Sequence, residues 1–246
     1  TADDLKGFWK GRLARDNLVI GVVGDIDGHT LAALLDTTFS ALPARAAPGR
    51  VPEIEPQGAG QTVVVDRPVP QSVIVFAHKG IMRDDPDFYA AYVMNYVLGG
   101  GGFSSRLYDQ VREKRGLAYS VYSTLYPLDH AALILGGAGT AKARTAETLA
   151  VIRDEWRAMK EGGLSEQELA DAKTYLTGSF PLRFTSSGRI AGFLVSVQLD
   201  NLGIDYIDER NSYIEAVSLE DANRVAERLL DPDNLTVVVV GQPEGM

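Results

Sequence analysis

The chain of 246 residues contains no cysteine. Disulfides and thiolate zinc sites are excluded, and redox chemistry gives no hint of the compartment. Histidine is nearly as scarce, since His29, His78 and His130 are the full complement. No two of them are close enough in sequence to share a helix face, so each reads as an ordinary helix-start, strand or loop residue and no metal site is expected. Long apolar stretches are missing too. The longest, such as "LTVVVVG", are strand-sized, and membrane insertion is not expected. Lysine and arginine number 24 against 33 acids, giving a net charge of −9 with no basic block, which argues against nucleic acid as the main partner. No serine or other nucleophile lies in a recognisable activating motif. The opening "TADDLKGFWK" is neither an initiator methionine nor a signal peptide, so the chain reads as a piece of a longer precursor. The compartment stays open between bacterial periplasm and cytoplasm, leaning to the periplasm.

What is present begins with a repeat. "TADDLKGFWKGRLARDNLVIGVVGDIDG" at residues 1–28 aligns without a gap on "SLEDANRVAERLLDPDNLTVVVVGQPEG" at residues 218–245. Asp4 matches Asp221, and a "DN" pair precedes each apolar run. Thr1 and Ser218 can each cap a helix, and the run that follows is short and β-branched, so both copies predict a capped helix followed by a buried strand. Residues 1–42 are then the tail of a preceding homologous domain, residues 43–60 a Pro- and Gly-rich linker, and residues 61–246 the second domain. A strand orphaned from its parent domain would seek another surface, so dimerisation through it is a further expectation.

Downstream, "QTVVVD", "SVIVFAHK", "LAYSVYSTLY" and "AALILGGAG" read as strands, and the final third reads as helices closed by a strand at residues 235–240. Ser165 with Glu168 forms a capping box there. Hairpin strands followed by grouped helices predict an α+β fold, an antiparallel sheet with helices packed on one face.

The stretch "GGGGFSSRLYDQVREKRGLAYS", residues 99–120, is glycine-rich without being a phosphate loop. A P-loop needs its glycines after a strand and a lysine at the helix start, and here they follow a helix with no such lysine. They instead punctuate: the helix ends at Leu98, Ser104 or Ser105 caps a new one, Leu107 and Val111 form its core stripe, and Gly116 ends it. Arg112 in the last turn and Tyr119 on the next strand can reach one side of a concavity, offering a guanidinium fork and a phenol to a carbonyl or oxyanion. The residues alone leave that role and plain structural roles open, and Arg106 and Arg115 read as a solvated helix face.

"SSRLYDQVREKRGLAYSVYS", with "RDDPDFYAAYVMNYVLGGG" and "LSEQELADAKTYLTGSF" in the same order, resembles the second half of the insulinase, pitrilysin and mitochondrial processing peptidase family of zinc metallopeptidases. The resemblance covers nearly the whole chain. It implies a processing-peptidase-like domain without the HxxEH zinc motif, in which Arg112 and Tyr119 bind the substrate backbone. No catalytic residue and no metal are then expected in this chain; zinc would sit in an HxxEH-bearing domain or subunit, in cis or in trans, and the isolated chain would be inactive. Its partners would be that zinc-bearing half and a peptide or protein substrate. The competing expectation is a non-enzymatic scaffold of the same fold.

Overall fold

The β-branched runs form one five-stranded sheet in the computed structural model, which describes residues 1–47, 49 and 51–246. Of the expected linker, Pro48 and Arg50 lie outside the described residues. The chain runs through α1 (Ala2–Arg12), α2 (Gly28–Phe39), β1 (Thr62–Asp66), β2 (Ser72–Lys79) and α3 (Phe88–Asn95). It continues through β3 (Ala118–Leu128), β4 (Ala131–Thr140), α4 (Thr145–Gly162) and α5 (Glu166–Gly178). The last elements are α6 (Ser187–Leu199), α7 (Tyr206–Ala216), α8 (Leu219–Leu229) and β5 (Thr236–Gly241).

The chain divides into two units, Thr1–Pro52 with Ser179–Glu209, and Glu53–Gly178 with Arg210–Met246. The first break falls at Pro52, within the Pro- and Gly-rich stretch. Residues 179–209 group with the first segment, whereas sequence composition assigned them to the second.

The sheet belongs to the second unit and has the order β1-β5-β2-β4-β3. The β3–β4 hairpin and the β2–β4 and β2–β5 pairs are antiparallel, but β1 does not pair with β2, its neighbour in sequence, and runs parallel to β5, Thr62 opposite Val237. Nearly the whole unit separates those two in sequence, so no tight turn dictates their direction. Alternation sends Ile74, Phe76 and His78 of β2, Ile134 of β4, and Val237 and Val239 of β5 into one buried core with α3, α4 and α8. Trp156 of α4 anchors it. Its ring meets Phe76 edge-on at 5.3 Å, and its Nε1–H donates to His78 Nε2 at 2.9 Å. Burying such a ring stabilises the core by roughly 2–3 kcal/mol.

The repeat takes shape in the local structure. Thr1 and Ser218 both make a reciprocal capping box, with Asp4 and Asp221, and each helix closes on a leucine followed by a 3₁₀ turn, Arg15–Asn17 and Pro232–Asn234. Each feature of the first copy lies at the same offset from its counterpart. The burial is opposite. Phe8 of α1 is 65% exposed, whereas its counterpart Val225 in α8 is fully buried. The expected buried strand at residues 18–23 is not formed, while its counterpart is β5, clasped between β1 and β2. A strand needs neighbours for its backbone groups, and among the described residues none pairs with 18–23. Within its own unit this run lies on α6, where a Cβ on Gly21 would collide with the Ala191 carbonyl.

Candidate functional site

The helical segment after the glycines is wound wide, as a π-turn over Tyr108–Glu113, with Tyr108 and Val111 buried. It closes with the same extra residue of width. Gly116 N–H donates to Arg112 O at 2.9 Å and Leu117 N–H to Val111 O at 2.8 Å, each spanning one residue more than a Schellman cap. Gly116 has φ 57°, which reverses the chain into β3. Ala118 pairs with Thr140 and Ser120 with Gly139, so Tyr119 is the unpaired residue of a β-bulge. A bulge re-aims the side chain it carries.

These two irregularities bring Arg112 and Tyr119 together. The Arg112 Cζ lies 4.6 Å from the Tyr119 ring centroid, 4.7 Å from that of Tyr108 and 5.9 Å from that of Phe103. Rings take up the guanidinium faces through cation–π attraction and leave its N–H edge. Among the described residues that edge makes no hydrogen bond, and the nearest carboxylate, Glu113, stands 3.8 Å from Nε. Tyr119 is 78% exposed. The arrangement is an oriented cation with unspent donors beside a solvent-facing hydroxyl.

The other arginines differ from one another. Arg115 donates to Gln110 at the surface, as a solvated residue does. Arg106 does not fit the expected solvated face: it grips Glu168 with two hydrogen bonds of 2.6 and 2.7 Å and donates to Gly163 O at 2.8 Å. Sequence spacing could not show a partner 62 residues away. The Arg106 guanidinium, with help from Ser165, holds the Glu168 carboxyl down to about 2 from its ordinary 4.5. A depressed carboxyl contributes stability that is complete above its unfolded value and lost as pH falls from about 4.5 towards 2. Glu168→Gln is expected to cost about 1–2 kcal/mol near neutral pH, allowing for solvent screening of a partly exposed pair. In thermal unfolding the gap from wild type should close as the pH approaches 2; a gap constant with pH would show that the pair is not its source.

Ser104 and Ser105 also depart from expectation. Their hydroxyls donate back to the Gly101 and Gly102 carbonyls and cap no helix N–H group. The histidines are scattered. His78 accepts from Trp156 at Nε2, its Nδ1–H donates to the Lys79 carbonyl, and burial pushes its pKa down. His130 faces Glu53 at the surface. Among the described residues no group of His, Cys, Asp and Glu could hold a metal ion.

Residues 1–176 match the family model described as the peptidase M16 inactive domain. The chain belongs to the peptidase M16 family. An uncharacterized zinc protease of Streptomyces coelicolor is 29% identical over 236 residues, 94% of this chain and 51% of its own length. A Helicobacter pylori protein named as a non-peptidase homolog is 27% identical over 241 residues, 97% of this chain and 55% of its own. The crystal structure of a peptidase M16 inactive domain from Pseudomonas fluorescens superposes with a TM-score of 0.86 at 31% identity, covering 99% of this chain and 57% of that one. This chain therefore spans about half the length of the curated relatives it matches. No helix among the described residues is long and apolar enough to cross a membrane.

Two members of this candidate cluster escape a reading of the sequence. Tyr108 lies four residues before Arg112, a spacing at which helical side chains meet, but it also reads as a core residue. Phe103, 81% exposed and edge-on to Tyr108 at 4.8 Å, looks like loop filler until the turn returns it to the arginine.

Proposed function

We propose that this M16 domain is the substrate-holding half of a zinc metalloendopeptidase. The observation that carries the proposal is the Arg112 guanidinium, stacked on aromatic rings with its N–H edge unspent beside the Tyr119 hydroxyl. Arg112 donates to a backbone carbonyl of an extended peptide, and Tyr119 donates to the carbonyl on which charge develops. This chain's histidines do not fit a zinc site, so zinc and its activated water belong to an HxxEH-bearing domain in cis or in trans. Matching capping boxes and relatives of about twice this length support residues 1–42 as the tail of such a homologous domain, 43–60 as a linker and 61–246 as the holding domain.

The test is reconstitution. The chain alone should bind no stoichiometric zinc by mass spectrometry and leave a quenched fluorescent peptide uncut; adding the zinc-bearing half, whether from the same protein or a partner subunit, should start hydrolysis. One tight zinc per chain, or hydrolysis by this chain alone, would overturn the assignment. The name of the Helicobacter pylori relative favours a second reading, a scaffold of the same fold. For that, assembly with the zinc-bearing half would form without any gain in hydrolysis.

A further inference from the structure

β3 is an edge strand of the sheet, and edge strands invite strand addition. This edge is obstructed. Asn95 Nδ2 donates to the Ser123 carbonyl at 3.2 Å, and Ser123 Oγ donates back to Asn95 Oδ1 at 2.7 Å. Further along, Pro127 carries no N–H at all. A peptide cannot continue a ladder past Ser123.

What opens at that point is a cavity of about 410 Å³. The rings of Phe88, Tyr92 and Tyr96 line it with Asn95 and Ser123, whose side chains are bonded to each other, while the Tyr122 ring lies over Gly137 of β4. Gly99, Gly100 and Gly102 add lining without side chains of their own, and Thr124 and Leu125 of β3 complete it. Rings and a self-satisfied polar pair offer a buried charge no partner, whereas an apolar ring loses nothing by entering. The volume lies in the range of small-ligand pockets and accommodates one aromatic side chain. Ser123 lies three ladder steps beyond the bulge at Tyr119, opposite Gly136 where the bulge is opposite Gly139, about 10 Å at the rise of an extended strand. An extended peptide held at Arg112 and Tyr119 has the same rise, so a residue about three positions away reaches the cavity.

We propose that this cavity is a subsite for one aromatic side chain of the bound peptide, about three residues from the position held by Arg112 and Tyr119. It rests on the holding role proposed above. The domain then selects its peptide as well as gripping it.

Two measurements test the subsite separately from the holding role. In ¹⁵N-labelled chain, N-acetyl-phenylalaninamide should give saturable shifts at the Gly99, Gly100 and Ser123 amides, and N-acetyl-alaninamide should not. By fluorescence anisotropy, a labelled Ala/Ser octapeptide carrying one phenylalanine should bind about tenfold tighter than its all-Ala/Ser counterpart. Tyr92→Ala, at a partly exposed ring of the cavity wall, should erase that preference, while Arg112→Ala should weaken both peptides alike. Peptides that bind through Arg112 with no phenylalanine preference and no amide shifts would overturn the subsite and leave the holding role standing. Affinities for both peptides that stay unchanged in Arg112→Ala, with the phenylalanine preference present, would sink the holding role, and with it the claim that the cavity is a subsite of that site. Binding of neither peptide, without amide shifts, overturns both.

Discussion

Arg112→Ala is expected to cut turnover of the reconstituted peptidase about a hundredfold while leaving the thermal unfolding of this chain nearly unchanged. Losing one donor to a developing oxyanion or to the reacting backbone costs about 3 kcal/mol in the barrier. Arg112 makes no hydrogen bond within the described residues, so the fold loses only its ring contacts, about 1 kcal/mol at a partly exposed site. Tyr119 allows a finer cut. Tyr119→Phe keeps the ring against the guanidinium and removes only the hydroxyl, so it should lose turnover with the arginine still oriented; Tyr119→Ala removes both and should lose more. Arg112→Lys keeps the charge but neither the planar fork nor the stacked face, and should rescue only a small part. Arg115→Ala is the appropriate control, because its bonds go to Gln110 alone. Hydrolysis of a quenched peptide, measured beside unfolding of each variant, separates a holding role from a structural one.

The second large effect is at Gly99. A Cβ placed there would overlap Ser123 Oγ and stand 2.6 Å from the Ser123 backbone nitrogen and 2.8 Å from Leu107 Cδ1. Backbone cannot swing aside as a flexible side chain does, so the turn Tyr96–Gly100 must lift off β3. Gly99→Ala is expected to destabilise by about 3 kcal/mol, roughly a 10 °C fall in melting temperature for a chain of this size. Gly7→Ala is the counter-example: α1 leaves open space around that position, and alanine in a helix should be neutral or stabilising by about 0.5–1 kcal/mol. Thermal unfolding of the two variants checks both. The four glycines thus owe at least one member to close packing of a turn on a strand.

Much of the fold was legible because its signals are local. The runs at β2 and β4 alternate or stay apolar over strand length, and the Ser165–Glu168 and Ser218–Asp221 caps are set by spacing alone. The strand expected at residues 18–23 has the same local signal as β5, but pairing is a property of neighbours, and only β5 has them. Arg106 was misread for a related reason, since its partner Glu168 belongs to another helix. At the site, Arg112 and Tyr119 came from family resemblance, because their residue types alone also suit a helix end and a strand. Their approach depends on a π-turn and a β-bulge, one-residue irregularities that no hydrophobic period encodes. The rings of Tyr108 and Phe103 that hold the arginine became visible only through that geometry.

The N–H edge of Arg112 is observable by arginine side-chain NMR without any zinc-bearing partner. On titration of the ¹⁵N-labelled chain with the phenylalanine-bearing octapeptide, the Arg112 Nε–H resonance should shift and saturate. That of Arg106, already engaged by Glu168, should stay in place. A peptide that saturates its binding while the Arg112 resonance remains unmoved would contradict the claim that this arginine holds substrate.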